Sequence, residues 1–118
     1  MKNFRLTLIT ENQNSLEKGN KFAELICKTL NLKNGFEISK YDKLKNSYRI
    51  EIIGKMADEN NLILESIELT DRICSPWIVN FNRIENNVDL IFNKSDFSNF
   101  KKNQFNVLNW AEFGIENE

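Results

Sequence analysis

The stretch 36-FEISKYDKLKNSYRIEI-52 decides the fold. Phe36 and Ile38 alternate with Glu37 and Ser39, a polar run from Asp42 to Asn46 follows, and Tyr48, Ile50 and Ile52 then alternate with Arg49 and Glu51. A period of two marks strands with one face in a core, and two such strands across a short polar turn read as an antiparallel hairpin.

Upstream, Phe4, Leu6 and Leu8 alternate with Arg5 and Thr7 and predict a first strand. Asn14 with Glu17 three residues later resembles a capping box, after which Leu16, Ala23, Ile26, Cys27 and Leu30 recur at helical spacing. Gly19 weakens the first turns by about 1 kcal/mol relative to alanine, so the helix is expected to settle after it. The pair Asn34-Gly35 supplies its stop.

Downstream, Asp58 is expected to cap a second helix whose stripe is Ile63, Ile67, Thr70 and Cys74 beside Leu62, Leu69 and Ile73. Ser75-Pro76 ends it. Trp77, Val79 and Phe81, then Val88, Leu90 and Phe92, alternate with their neighbours as a second hairpin across the link from Ile84 to Asn87. Residues 93–103 read as a loop holding Phe97 and Phe100, and residues 105–113 fit either a strand or a helical turn.

This order predicts a single α+β domain over residues 1–118: a two-layer, ferredoxin-like sandwich with a mostly antiparallel sheet, both helices on one face and a C-terminal extension. Right-handed crossovers place the first and third strands side by side. The open face then carries Arg5, Thr7, Glu37, Arg49, Glu51, Asn80, Asn82 and Asp89. Phe4, Phe36, Tyr48, Phe81 and Phe92 share the parity of the aliphatic residues and face the helices, which argues against base stacking on the open sheet.

Among the 118 residues there is no histidine, so triads, histidine dyads and imidazole metal sites are excluded. A chain of this length buries roughly two thirds of its unfolded surface without staples. No apolar run approaches the roughly 18 residues needed to span a bilayer, and the start, MKNFRLTLITENQNS, reads as a strand rather than a signal peptide. Cys27 and Cys74 fall on apolar stripes and are expected as reduced core thiols of a cytoplasmic protein. Sixteen basic against 17 acidic residues give no general attraction to nucleic acid or anionic membrane. Asparagine fills 19 positions, a bias that an AT-rich genome accounts for.

Ile52-Ile53-Gly54-Lys55 resembles the end of a phosphate loop, but Arg49 stands where its first glycine belongs, and the four glycines form no dinucleotide fingerprint. Glu65 and Glu68 lie one helical turn apart with Asp71 and Arg72 nearby; a solvated helix face is the simpler reading than a metal or acid–base pair. Asp58-Glu59 suits a helix N-terminus, the sequon Asn93-Lys94-Ser95 carries no meaning without secretion, and Lys43, Lys45, Lys55, Lys101 and Lys102 are solubilising charge. No cofactor or metal is expected. Trp110, between Asn109 and Glu112, either closes the core or anchors another protein.

The acidic, histidine-free α/β layout and the terminal run Val107-Leu108-Asn109-Trp110-Ala111-Glu112-Phe113 resemble bacterial immunity proteins of contact-dependent or polymorphic toxin systems. The resemblance implies a non-catalytic cytoplasmic protein that binds and neutralises a cognate toxin domain, often a nuclease, as one monomer in a heterodimer. Contacts expected from exposure and charge are Glu51, Glu65, Glu68, Asn80, Asn82, Asp89, Trp110 and Glu112, whose carboxylates suit a basic partner. The alternative is a ligand-sensing or regulatory dimerisation domain; a small carboxylate enzyme ranks third.

Overall fold

The computed structural model describes residues 2–33 and 35–117. Their order is β1 (Lys2–Thr10), α1 (Leu16–Thr29), β2 (Glu37–Lys40), β3 (Tyr48–Lys55), α2 (Leu62–Asp71), β4 (Cys74–Ser75), β5 (Ile78–Asn82), β6 (Asn87–Asn93), β7 (Asn99–Phe100), a 3-10 turn (Asn103–Val107) and β8 (Leu108–Asn117). Six strands form one sheet in the order β2-β3-β1-β8-β6-β5, every pairing antiparallel; β4 and β7 pair separately. The fold is α+β.

β1 and β3 lie side by side, as right-handed crossovers require, with Leu6 opposite Ile52 and Leu8 opposite Ile50. The place on the other side of β1 belongs to β8, with Leu6 opposite Phe113, and the hairpin β5–β6 stands outside it. The C-terminal segment is therefore an interior strand, not an extension, and it holds the position that a ferredoxin-like plan gives to the strand after α2. Its apolar residues hid this because they change parity: Leu108 is buried, and so are Ala111, Phe113 and Ile115. Thr10 pairs with Leu108 but Ile9 pairs with Trp110, so Asn109 is the extra residue of a β-bulge that shifts the phase.

Directly opposed residues in antiparallel strands share a face, so the register defines the core: Phe4, Leu6 and Leu8 with Ile50 and Ile52, Ala111, Phe113 and Ile115, and Val88, Leu90 and Phe92, all buried. Phe4 stacks on Phe113 at 4.9 Å between ring centroids. α1 packs on β2 and β3, and α2 on β6 and β4. Val79 and Phe81, expected in the core, are 41% exposed because β5 is the edge strand and nothing lies beyond it.

The helix ends differ from the sequence reading. Ser15, not Asn14, caps α1, its Oγ accepting from the Lys18 amide at 3.3 Å. The helix runs straight through Gly19, where a Cβ would stand 2.8 Å from Ile38 Cδ1; the missing side chain lets α1 close onto the sheet. It stops at Leu30 rather than at Asn34-Gly35, of which Asn34 lies outside the described residues. Asn31, at φ 57°, takes the left-handed position, and the amides of Asn31 and Leu32 bond back to the carbonyls of Lys28 and Cys27, a Schellman arrangement.

α2 buries Leu62, Ser66, Leu69 and Thr70, while Leu64 and Ile67 are exposed. Leu62, Ile63, Leu64, Ile67 and Leu69 spread over a broad arc of this helix, so periodicity alone does not fix its rotation. Cys74 lies beyond the helix in β4, fully buried. Asn61 occupies the N-cap position, and Asp58 instead accepts from the Asn60 amide and Asn61 Nδ2, each at 3.0 Å, organising the turn before the helix.

Candidate functional site

The odd-numbered residues of β1 and their partners form the sheet face away from this core. One row across it reads Glu37, Glu51, Thr7, Glu112, Ile91 and Ile78; the next reads Ser39, Arg49, Ile9, Trp110 and Asn93; a third reads Ile53, Arg5, Gly114, Asp89 and Asn80. Of the sequence candidates, Glu51, Asn80, Asn82, Asp89, Trp110 and Glu112 therefore meet on one face. Glu65 and Glu68 do not; they belong to α2.

The bulge at Asn109 positions the most distinctive side chain. With its phase shifted, β8 sends Leu108 into the core and Trp110 onto the polar face, opposite Ile9. Asn109 is pinned on two sides: its Nδ2 donates to Glu11 Oε1 at 2.8 Å, and its carbonyl accepts from the Lys94 amide at 3.0 Å. Lys94 Nζ donates to Glu11 Oε2 at 3.0 Å and to the carbonyl of Asn106. Partial burial disfavours the charged form of Glu11, but the hydrogen bonds from Asn109 and Lys94, together with the Lys94 charge, outweigh it and hold the carboxyl below the ordinary glutamate range.

Around Trp110 lies a concavity of about 540 Å³ lined by Thr7, Ile9, Tyr41, Arg49, Asn109 and Glu112 as well as Trp110 itself. The lining combines apolar and aromatic Ile9, Tyr41 and Trp110 with polar Thr7 and Asn109, one cation and one carboxylate. Ile9, Tyr41 and Asn109 were not singled out from the sequence. Ile9 was legible, because it is apolar where the β1 alternation calls for a polar residue, and an aromatic partner on the same face explains it.

Beside this concavity runs a line of paired charges. Arg49 Nη2 donates to Glu51 Oε1 at 2.6 Å, Arg5 Nη1 to Glu51 Oε2 at 3.0 Å, and Arg5 Nε to Glu116 Oε1 at 2.8 Å. The Glu116 hydrogen bond and charge raise the Arg5 pKa above its ordinary value. Glu51 is thus committed to two arginines. Glu37, Asp89 and Glu112 carry the carboxylates of the face that have no salt-bridge partner among the described residues, and Asp89 Oδ1 lies 3.0 Å from where a Cβ on Gly114 would stand.

Glu65 is not a free acid either. Its two oxygens accept from the amides of Ala57 and Asp58, each at 2.7 Å, tying α2 to the loop before it. Glu68 is exposed on the same helix. Burial pushes the Cys74 thiol up to about 12, and burial followed by the Glu24 charge raises that of Cys27. Both cysteines are free and buried. Among the described residues no cluster of three or more histidine, cysteine, aspartate or glutamate side chains has the arrangement to hold a metal, and no helix is long and apolar enough to cross a membrane.

No protein-family model, curated protein or solved structure matches this chain.

Proposed function

We propose that this chain is a non-catalytic immunity protein that binds a cognate bacterial toxin domain, a nuclease by preference, in the cytoplasm of the cell it protects. The observation that carries the reading is Trp110, which a β-bulge turns onto the open sheet face beside Ile9, in a concavity that Arg49 and Glu112 also line. A half-buried tryptophan in a concavity with a polar rim has the make-up of a protein-binding anchor. Asp89 and Glu112 supply carboxylates for the lysines and arginines with which a nuclease holds phosphates, and such charges speed encounter. Asn80, Asn82 and Asn93 add hydrogen-bonding capacity along the same face. Each chain takes one toxin domain.

The scaffold in this reading is a two-layer sandwich with both helices over the buried sheet face. Its β1-α1-β2-β3 half follows the ferredoxin-like pattern, and β8 takes the place beside β1, with β6 and β5 continuing the sheet beyond it. Co-expression with the product of the neighbouring gene tests the function: a complex that co-purifies, protects cells from that product and is lost on Trp110→Ala with Glu112→Lys supports it. A harmless product that forms no complex removes the immunity reading.

A further inference from the structure

We infer that the chain pairs with a second copy of itself through β5, extending its six-stranded sheet across a twofold axis at Asn80. This goes beyond the immunity reading, which needs no self-association, and it gives two chains per assembly where the sequence suggested one. The two edges of the sheet differ. β2, at one edge, has four residues and carries Glu37 and Lys40. β5, at the other, is Ile78-Val79-Asn80-Phe81-Asn82, without charge, proline or glycine, and its pairing with β6 runs through five positions without a register shift. Charge, proline and bulges are the devices by which proteins blunt free edges. This edge has none of them.

Its side chains are exposed on both faces: Ile78 is 62% exposed on the open side, and Val79 and Phe81 are each 41% exposed on the helix side. The strand is also complementary to itself. Antiparallel pairing centred on Asn80 sets Val79 against Phe81 of the second copy, twice, and Ile78 against Asn82, so apolar meets apolar on the helix side and amide meets amide at the axis. Cross-strand aromatic and β-branched pairs are favourable sheet contacts, and an isologous twofold repeats each of them. Because the axis of such a pair stands perpendicular to the sheet, both open faces and both Trp110 concavities lie on the same side. The result is a double-width binding face that presents two anchors to a dimeric or repeated partner.

Sedimentation velocity on the purified full-length chain tests this with no toxin present, so its failure is separate from any failure of the immunity reading. An edge of five residues gives a small interface, so the mass is expected to climb from 13.9 kDa towards twice that between about 1 μM and 1 mM. Val79→Lys and Phe81→Glu, at half-exposed positions, should each weaken pairing at least tenfold while circular dichroism remains that of the folded chain. Mixing these two variants should restore pairing, because the mixed dimer keeps one Val79–Phe81 contact and sets opposite charges against each other at the second. Asn80→Cys should cross-link to itself on mild oxidation, the native thiols being buried. A chain that stays at monomer mass throughout overturns the proposal, including the case in which a foreign strand from a partner protects the β5 amides from hydrogen exchange. Self-association unaffected by both variants, or not restored on mixing, overturns the register.

Discussion

Gly54→Ala is expected to be among the most damaging single-methyl insertions in this chain. Gly54 is buried opposite Phe4 on the core face, and its φ is not positive, so its role is space and not backbone freedom. A Cβ there would fall onto Cζ and Cε2 of the Phe4 ring and stand 3.0 Å from Leu32 Cδ2. The ring cannot retreat, since Phe4 is buried and stacked on Phe113. Overpacking of this kind costs about 1–3 kcal/mol, and contact with a wedged ring places it near the top of that range. The lower entropy of an unfolded chain with alanine returns about 0.5–1 kcal/mol. A net loss of about 2 kcal/mol follows, which for a domain of this size lowers Tm by about 8 °C. Urea denaturation followed by tryptophan fluorescence measures it. Phe4→Leu alone also destabilises, but combined with Gly54→Ala it gives the methyl room, so the double variant should be more stable than the sum of the single losses by about 1 kcal/mol or more. A neutral Gly54→Ala, or strict additivity, refutes the packing described for β1 against β3.

Ser66 Oγ is buried in α2 without a hydrogen-bond partner, so Ser66→Ala is expected to stabilise the fold by about 1 kcal/mol, read as a rise in the urea midpoint. Glu11 has a folded pKa below its unfolded value, so its contribution is present above the unfolded pKa and is lost as pH falls through the folded one. Glu11→Gln should therefore cost up to about 1 kcal/mol at pH 7 and progressively less towards pH 3, measured by denaturation across that range; a difference independent of pH contradicts the clamp on Asn109. Cys27 and Cys74 should resist a thiol reagent at pH 8 in the folded protein and react once urea unfolds it, and rapid labelling of the native chain would contradict their burial.

Strand alternation carried most of the fold in the sequence, because β1, β3 and β6 keep a period of two on the core face, although Ile9, Ile53 and Ile91 put apolar residues on the other face as well. β8 was illegible for a physical reason: the bulge at Asn109 changes the phase between Leu108 and Ala111, so neither a strand nor a helix template fits the whole run. The stop of α1 was misplaced because Asn31 takes the left-handed position that Gly35 advertised. The eight residues that parity assigned to the open face do lie there, but Ile9, Ile53, Ile78 and Ile91 and, beyond the bulge, Trp110 and Glu112 share it, so the face is less uniformly polar than the alternation suggested. What parity cannot give is which charges are already paired. Glu51 and Glu65 look like available acids in sequence, yet the first is held by Arg5 and Arg49 and the second by two backbone amides.

The two tryptophans provide the most direct test that the open face is the binding surface. Trp77 donates its indole N–H to the Cys74 carbonyl at 2.8 Å on the far side of the sheet, whereas Trp110 lies on the open face beside Ile9. In a ¹⁵N-labelled chain titrated with an inactivated form of the neighbouring gene's product, the Trp110 indole signal should shift or broaden while the Trp77 signal stays in place. Binding that leaves the Trp110 signal unmoved would contradict the assignment of this face.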